Sequence, residues 1–302
     1  MPAALLLALG LAAPDQALVA PNLSERFAER VSLSSAAAPA ERALYDEAMR
    51  LVLNTPTGRS LAEELLIKDR RVEVAFKDLD GIYGLADCGD GALARVSVSR
   101  GHLTWRPELA ALVLAETLAH ELLGHVLQQR RAEEAGVGFE FNSSILDELN
   151  AEAVGWTVGF EAGWPYPNAR AEELAAKPAA YAEELVWGGS SYSEGLARAE
   201  LADPVAAYEG RLAALDRRVS DPALRAKLKA RFEARVALLK SREDLRASFS
   251  RAASDPFFDR LEADMAARAS RLQGLDAAAK ARFTAPGAGA PPMLVCGRRP
   301  GA

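Results

Sequence analysis

Hydrophobic and polar residues alternate in two short stretches of this chain. Residues 71–76 read Arg-Val-Glu-Val-Ala-Phe, and residues 94–99 read Ala-Arg-Val-Ser-Val-Ser. A period of two places every second side chain on the same face of a strand. The pattern therefore predicts β-strands at 71–76 and 94–99, with a glycine-containing loop from Gly81 to Gly91 between them.

Most other apolar positions follow helical spacing. A helix is predicted over 107–135 that ends at Gly136, because proline suits a first helical turn and glycine suits the position after the last one. Near the C-terminus, Pro204, Pro222 and Pro256 each follow an acidic residue and mark further helix starts. Apolar residues recur there at helical spacing at Leu212, Leu215, Val219, Leu224, Leu228, Phe232 and Val236.

Composition supports a helical fold with a substantial core. Half of the 302 residues are hydrophobic and only 7% are aromatic, and an alanine- and leucine-rich composition favours helices over sheets. We predict a mainly α fold with a small β-sheet, of the α+β class. The expected organisation is a signal peptide at 1–20, an N-terminal helical segment at 21–60, a catalytic domain at 61–200, a helical domain at 201–284 and a mobile tail at 285–302.

The first residues are typical of an export signal. Ala3 to Ala13 form an apolar run that suits the hydrophobic part of a signal peptide but is too short to span a bilayer. A short buried helix is the alternative. We expect an exported protein, periplasmic or secreted, with no later segment long and apolar enough to cross a membrane. The two cysteines, Cys88 and Cys296, leave one disulfide open as a possibility.

Charge bears on the class of partner. The formal net charge of −6 argues against non-specific nucleic-acid binding, which depends on basic surfaces. The sequence does not predict an oligomeric state.

Two of the three histidines flank a glutamate in the stretch His120-Glu121-Leu122-Leu123-Gly124-His125. Two imidazoles can bind Zn²⁺, and a neighbouring carboxylate can act as a general base, as in the H-E-x-x-H motif of metallopeptidases. Here one extra residue separates the histidines. Residues five apart lie about 140° apart around a regular helix, so both rings can reach one ion only if a π-bulge absorbs the insertion. Gly124, which lacks a Cβ atom, is the residue that distorts most easily there.

A third ligand is expected from the next helix. Asn142, Ser143 or Ser144 could cap a helix in which Glu148 and Glu152 share a face. We interpret Glu148 as the third metal ligand, and Glu152 as the carboxylate that accepts the free N–H of a ligating histidine. The alternatives are an acid serving the helix dipole for Glu148, and an exposed helix charge for Glu152.

These two motifs resemble those of the dipeptidyl peptidase III family. Residues 120–125 match its His-Glu-Leu-Leu-Gly-His motif at all six positions, and 147–152 resemble its second motif at three, the ligand glutamate included. The resemblance covers about 35 residues, and that family is much larger, with a longer gap between the motifs. It implies a gluzincin, a zinc metallopeptidase in which His120, His125 and Glu148 bind the ion and Glu121 is the general base. The resemblance implies a zincin-like catalytic core and a peptide or protein substrate, and the helical spacing after residue 203 predicts a helical bundle that follows this core.

Two further expectations concern substrate binding. Strand 94–99 is expected to line the cleft as an edge strand that pairs with an extended substrate, although an ordinary sheet strand is an equal alternative. The hydroxyl group that donates a hydrogen bond to the oxyanion could belong to Tyr166, Tyr181 or Tyr192. His102 is expected to lie in a loop and not to be a metal ligand.

Two other functions remain open on the sequence. One is an envelope interaction module, built on the C-terminal helices, with an inert metal site. The other is a zinc hydrolase that acts on a non-peptide amide or ester.

Overall fold

The computed structural model describes residues 21–67, 71–88, 93–164, 168–189 and 191–284. Several predictions concern residues outside these ranges, namely the signal peptide at 1–20, Tyr166, Cys296 with its possible disulfide, and the tail at 285–302.

Within the described residues, one mixed sheet of four strands forms the β part of the fold. Its strands are β1 (Val31–Leu33), β2 (Arg71–Lys77), β3 (Gly84–Asp87) and β4 (Leu93–Ser99). The order across the sheet is β1-β2-β4-β3. Strands β1, β2 and β4 run parallel, whereas β3 pairs antiparallel with β4 and forms one edge.

Both predicted strands exist, but the strand at 94–99 is not the edge strand, and part of the predicted loop is itself a strand. Strand β4 lies between β2 and β3 and is therefore not an edge strand. The edge is β3, which occupies part of the stretch predicted to be a loop. Leu85 is 51% exposed and no residue of β3 is fully buried. A half-exposed strand of four residues shows no apolar alternation, so its sequence gives no strand signal.

Helices make up most of the described chain, so the predicted mainly α fold with a small sheet is confirmed. Prolines at 204, 222 and 256 begin helices as predicted, and the side chains of Asp203 and Asp221 cap two of them. The helices are α1 (Pro21–Arg30), α2 (Pro39–Asn54), α3 (Pro56–Ile67), α4 (Pro107–Leu118), α5 (Leu127–Ala135), α6 (Gly138–Asn142), α7 (Ile145–Glu161), α8 (Ala169–Ala176), α9 (Pro178–Trp187), α10 (Arg198–Leu201), α11 (Pro204–Arg218), α12 (Pro222–Ser241), α13 (Glu243–Ala252) and α14 (Pro256–Thr284).

A π-helical segment, Ala119–Val126, joins α4 to α5, so that one long helix runs from Pro107 to Ala135. It ends at Gly136, whose φ of 77° is left-handed, as predicted. Its part from Leu109 to Ala135 is long and apolar enough to cross a membrane, contrary to expectation, because an 18-residue window within it has a mean hydropathy of 1.3. However, 72% of that apolar window is buried inside the fold, which is also typical of a core helix.

Two clusters of buried apolar side chains form the core. The first joins the sheet to α1–α4 and the π-helical segment, and the second lies among the helices from α5 to α14. Helix α7 contributes to both, with Val154 and Val158 in the first cluster and Leu149 and Ala153 in the second. The expected domain boundary after residue 200 falls inside the second cluster. The C-terminal helices thus share a core with the helix that carries Glu148.

Candidate metal centre

The π-helical segment brings the two histidines together although they are five residues apart. The Nε2 atoms of His120 and His125 lie 3.0 Å apart, and their ring centroids 4.7 Å apart. A regular helix would direct residues at this spacing to different faces. The predicted π-bulge is therefore confirmed, and the structure widens it to eight residues.

Gly124 is required here for close packing. A Cβ atom at this position would lie 2.6 Å from the backbone Cα of Ala151 in α7, so only glycine lets the two helices approach so closely. The sequence analysis assigned this glycine to local distortion of the helix. Its contact with α7 is a tertiary constraint, which brings the second helix within reach of the histidines.

Helix α7 begins beside the histidines and carries the third donor. Its N-cap is Ser144, one of the three predicted candidates, although the Ser144 side chain makes no capping hydrogen bond. Glu148 Oε2 lies 3.4 Å from His125 Nε2 and 3.8 Å from His120 Nε2. The structure thus brings together the three residues that the sequence analysis selected as ligands.

This donor set fits a tetrahedral metal ion. Ligand atoms about 2.0–2.1 Å from a tetrahedral ion lie roughly 3.3–3.4 Å from one another, and the three separations observed here are 3.0, 3.4 and 3.8 Å. Glu148 is 4% exposed, and its Oε2 atom has no hydrogen-bond partner. Leaving a buried carboxylate oxygen unpaired is costly. A cation at this point would satisfy it.

Glu121 lies near enough to be considered as a ligand as well, since one oxygen of its carboxylate lies within 4.8 Å of donor atoms on both histidines. Glu148 Oε2 lies 3.4 and 3.8 Å from the two Nε2 atoms, distances that fit a shared ion. Glu148 is therefore the candidate for the third ligand position, with Glu121 beside it.

Asp147 orients one of the histidines. Its Oδ1 atom lies 2.8 Å from His125 Nδ1. Because an ionised aspartate can only accept, this contact places a ring proton on Nδ1, so that Nε2 is the nitrogen that faces the other donors. Burial disfavours the charged ring, but the carboxylates of Asp147 and Glu148 outweigh burial and hold the pKa of His125 well above its usual value.

The expected role of Glu152 needs correction. The carboxylate on a histidine N–H is Asp147, whereas Glu152 accepts a hydrogen bond from Tyr181 Oη at 3.3 Å and lies against Glu148. Burial, followed by the charges of Glu148 and Glu116, raises the pKa of Glu152 well above its usual value. Glu148 lies beside the histidines as expected, whereas Glu152, one helical turn further along α7, contacts Tyr181 and Glu148 instead.

The electrostatics of the other two groups follow from burial and from their neighbours. Burial lowers the pKa of His120 to about 4, with a further lowering by His125 that the Glu148 carboxylate opposes. For Glu148, burial acts against the charged form, but the histidines and a hydrogen bond from Tyr192 lower its pKa below the usual value. Neutral imidazole beside ionised carboxylate is the protonation state that binds a metal ion.

Glu121 faces the edge strand. It accepts a hydrogen bond from the backbone N–H of Ala86, and a Cβ atom at Gly84 would lie 2.8 Å from its Cγ atom. Burial is the main cause that raises the pKa of Glu121 to about 7. A carboxyl group with a pKa near neutrality can both accept and return a proton.

One of the three predicted tyrosines reaches the donor set. The Tyr192 hydroxyl donates to the Glu148 carboxylate, and its ring stacks on His125 with centroids 6.3 Å apart. Tyr181 contacts Glu152 instead, and Tyr166 lies outside the described residues. His102 is also apart from the site, in a buried 3₁₀ turn where its Nε2 atom lies 3.3 Å from the carbonyl oxygen of Tyr83.

A pocket of about 300 Å³ opens beside the histidines. Four glutamates and His120 supply its charged and titratable groups, and none of the described residues that line it is a lysine or an arginine. Glu116, one helical turn before His120, accepts a hydrogen bond from Trp156, and burial raises its pKa to about 7. The lining residues are Gly81, Ile82, Tyr83, Gly84, Leu85, Glu116, Thr117, His120, Glu121, Glu148, Glu152, Gly155, Trp156 and Tyr192.

Sequence reasoning missed Asp147, Glu116 and the strand β3. The adjacent acids Asp147 and Glu148 were a visible signal, because two neighbouring acids at a helix start can reach two edges of one ring. Glu116 shares a helix face with His120, four residues on. No sequence signal identified β3 as the edge strand.

Comparison with known proteins leaves the site to be interpreted on its own geometry. No family model, no curated protein and no solved structure matches this chain.

Proposed function

We propose that this chain is a zinc-dependent hydrolase that cleaves peptide bonds. The observation that carries the proposal is the set of three donor atoms, on His120, His125 and Glu148, at separations close to those expected of ligands to one tetrahedral ion. Two imidazole nitrogens and one carboxylate oxygen suit zinc, whereas magnesium and calcium prefer oxygen ligands. Three protein ligands leave a fourth position open for chemistry.

Each neighbouring residue has a role in such a reaction. A zinc ion held by these three residues would lower the pKa of a bound water towards about 7 and polarise the scissile carbonyl. Glu121, beside the ligands, accepts the proton of the attacking water and passes it to the leaving amine. Asp147 fixes the His125 ring. The Tyr192 hydroxyl has one proton, which it donates to Glu148 in this structure, and it would serve the developing oxyanion by turning away from that carboxylate.

The edge strand supports peptide as the substrate. Strand β3 pairs with β4 on one side only, and residues 81–85 line the pocket. An extended peptide can add to such an edge through backbone hydrogen bonds. The exposed side chains of Ile82, Tyr83 and Leu85 would contact its apolar residues. Export of the protein, proposed from the run at 3–13, would place this reaction outside the cytoplasm.

The test measures metal and turnover in the same preparations. Purified protein is expected to contain about one zinc ion per chain, and His120→Ala and Glu148→Ala to lose it. Glu121→Gln should keep zinc and lose turnover of an unstructured protein substrate by about 10²–10⁴-fold, since an amide cannot accept the proton. Full zinc retention in His120→Ala and Glu148→Ala alike would refute the site.

Activity separates the remaining possibilities. Equal turnover by wild type and Glu121→Gln would remove Glu121 as the base. Zinc binding without any peptide cleavage, but with hydrolysis of simple esters or amides, would favour a non-peptide hydrolase. Zinc binding with neither activity would favour the interaction module.

A further inference from the structure

The segment that carries Tyr192 is held by the C-terminal helices. Residues Ser191–Glu194 form one short 3₁₀ turn, too short to fix its own position. Side chains from α11 and α12 reach this turn from behind. We call the four that do so the clamp: Tyr208 and Arg211 on α11, and Arg231 and Arg235 on α12.

Two arginines of the clamp donate hydrogen bonds to Ser193, which is fully buried. The Ser193 hydroxyl oxygen accepts a hydrogen bond from Arg231 Nη1 at 2.8 Å. Its carbonyl oxygen accepts one from Arg211 Nη1 at 3.4 Å. Both the backbone and the side chain of the residue after Tyr192 are thereby fixed to two different helices.

The clamp also donates hydrogen bonds to Glu194. The Glu194 carboxylate accepts a hydrogen bond from Arg235 Nε and lies 3.8 Å from Arg231 Nε. Its carbonyl oxygen accepts a hydrogen bond from the Tyr208 hydroxyl. The ion pairs are partly buried, so solvent screens them less than a surface pair. Charge-assisted hydrogen bonds of this kind are about twice as strong as neutral ones.

On the other side of the same turn, Tyr192 meets the metal ligands. Its hydroxyl donates to Glu148 and its ring stacks on His125. Only one peptide unit separates this tyrosine from the clamped Ser193, so a shift of the clamp must move the hydroxyl. A displacement of about 1 Å in a catalytic group can cost about 10²-fold in rate.

We propose that the paired helices α11 and α12 are a positioning element for the reaction, and that they act through Tyr192. Arg231, Arg235 and Tyr208 are positioning residues, since none of them lines the pocket. The inference rests on the proposed hydrolase function. It goes beyond that function by assigning the C-terminal helices a role in the reaction, where a separate cap or interaction module was the simpler expectation.

The experiment combines two kinds of variant in the full-length protein. Arg235→Met removes one clamp contact, Tyr192→Phe removes the hydroxyl, and the double variant carries both. Arg235→Met alone is expected to lower kcat by about 10–100-fold with little change in zinc content. In the Tyr192→Phe background the same change should cost less than twofold, because the hydroxyl it positions is already gone. Independent, multiplying losses would overturn the proposal.

A spectroscopic measurement tests the clamp without turnover. Cobalt(II) substituted for zinc reports its ligand geometry through its visible absorption bands. Arg235→Met should shift these bands in the direction that Tyr192→Phe shifts them. Arg217→Met, at an exposed arginine near the end of α11, should leave both the bands and kcat unchanged. Wild-type bands in Arg235→Met would refute the clamp even if peptide cleavage were never found.

Two further variants guard against simple loss of folding. Arg235→Lys keeps a positive charge and should recover part of kcat. Tyr208→Phe removes only the hydroxyl that donates to the Glu194 carbonyl, and it should lower kcat by several-fold at an unchanged melting temperature. If only variants with a lower melting temperature lose activity, the helices are structural and the proposal fails. Bands that move in every clamp variant of a protein without peptidase activity would leave the positioning role standing and refute the hydrolase.

Discussion

His125 and Asp147 are joined by a 2.8 Å contact between Nδ1 and Oδ1. The next residue, Glu148, approaches the opposite edge of the same ring, 3.4 Å from Nε2. One turn of α7 therefore holds the imidazole at both nitrogens. The ring cannot rotate without breaking one of the two contacts, so the orientation of this candidate ligand is fixed in the absence of a metal ion.

Asp147→Ala is expected to weaken zinc binding by about 10–100-fold, because His125 would lose the acceptor that fixes its ring and tautomer. Asp147→Asn keeps an oxygen that can accept from Nδ1 and should weaken binding less. Competition with a chromophoric chelator measures both affinities. Glu152→Gln serves as the comparison. If Glu152→Gln weakens zinc binding more than Asp147→Ala does, Glu152 and not Asp147 is the carboxylate that supports the histidine.

Gly124→Ala tests the close approach of the two helices. The added Cβ atom would lie 2.6 Å from the Ala151 backbone, so we expect a loss of about 1–3 kcal/mol in the free energy of unfolding from overpacking, together with weaker zinc binding. Gly210→Ala is the matched control in α11, where a Cβ atom meets nothing within 4 Å. Alanine there should stabilise the protein by about 0.5–1 kcal/mol. Denaturant unfolding measures the free energy of unfolding of both variants. Equal values would contradict the close contact between Gly124 and Ala151.

The acidic pocket should favour a positively charged substrate group. Glu116, which is not one of the three proposed ligands, lines it, and no described lining residue is a lysine or an arginine. At about pH 8, where Glu116 with its pKa of about 7 is mostly ionised, we expect kcat/KM to be higher for a peptide with lysine than for the same peptide with norleucine. Glu116→Gln should reduce that ratio by about tenfold, which corresponds to about 1.4 kcal/mol. Glu134→Gln, on the same long helix outside this pocket, should leave the ratio unchanged. A ratio of one in the wild type would refute the charge preference.

His102 should contribute to acid sensitivity. Burial lowers its pKa to about 4 from the usual value of about 6.5, so the unfolded chain binds its proton at a higher pH than the folded protein. The free energy of unfolding therefore falls as the pH drops from about 6.5 to about 4, by about 3 kcal/mol over that window. In metal-free His102→Gln the loss between pH 7.5 and 4.5 should be smaller than in metal-free wild type by about 2–3 kcal/mol. Parallel stability curves for the two proteins would show that His102 does not titrate in this way.

The parts of the site that could be predicted are those set by spacing along one helix. The five-residue spacing of His120 and His125 requires a π-bulge for a shared ion, and the four-residue spacing of Glu148 and Glu152 places them on one face. The choice between Asp147 and Glu152 as the histidine partner depended on how two helices cross. That crossing depends on the contact between Gly124 and Ala151, which no local pattern encodes.

Long-range pairing explains the other failures. Strand 94–99 was recognised by its alternation, but its place in the sheet depends on β3, whose four residues carry no such pattern. Likewise, Tyr192 could not be chosen over Tyr181, since both follow the third ligand at plausible distances along the chain. The choice is made by Ser193, Glu194 and the arginines that hold them.

Helix α7 belongs to both hydrophobic clusters, and this has a consequence for how the molecule unfolds. The histidines come from a helix packed mainly in the first cluster, whereas Glu148 starts from the part of α7 packed in the second. A bound ion would act as a cross-link between the two halves, so that neither could open without releasing it. At a free zinc concentration 100 times the dissociation constant, that linkage is worth about 2.7 kcal/mol. Chelation should therefore do more than stop turnover: it should split one cooperative melting transition into two.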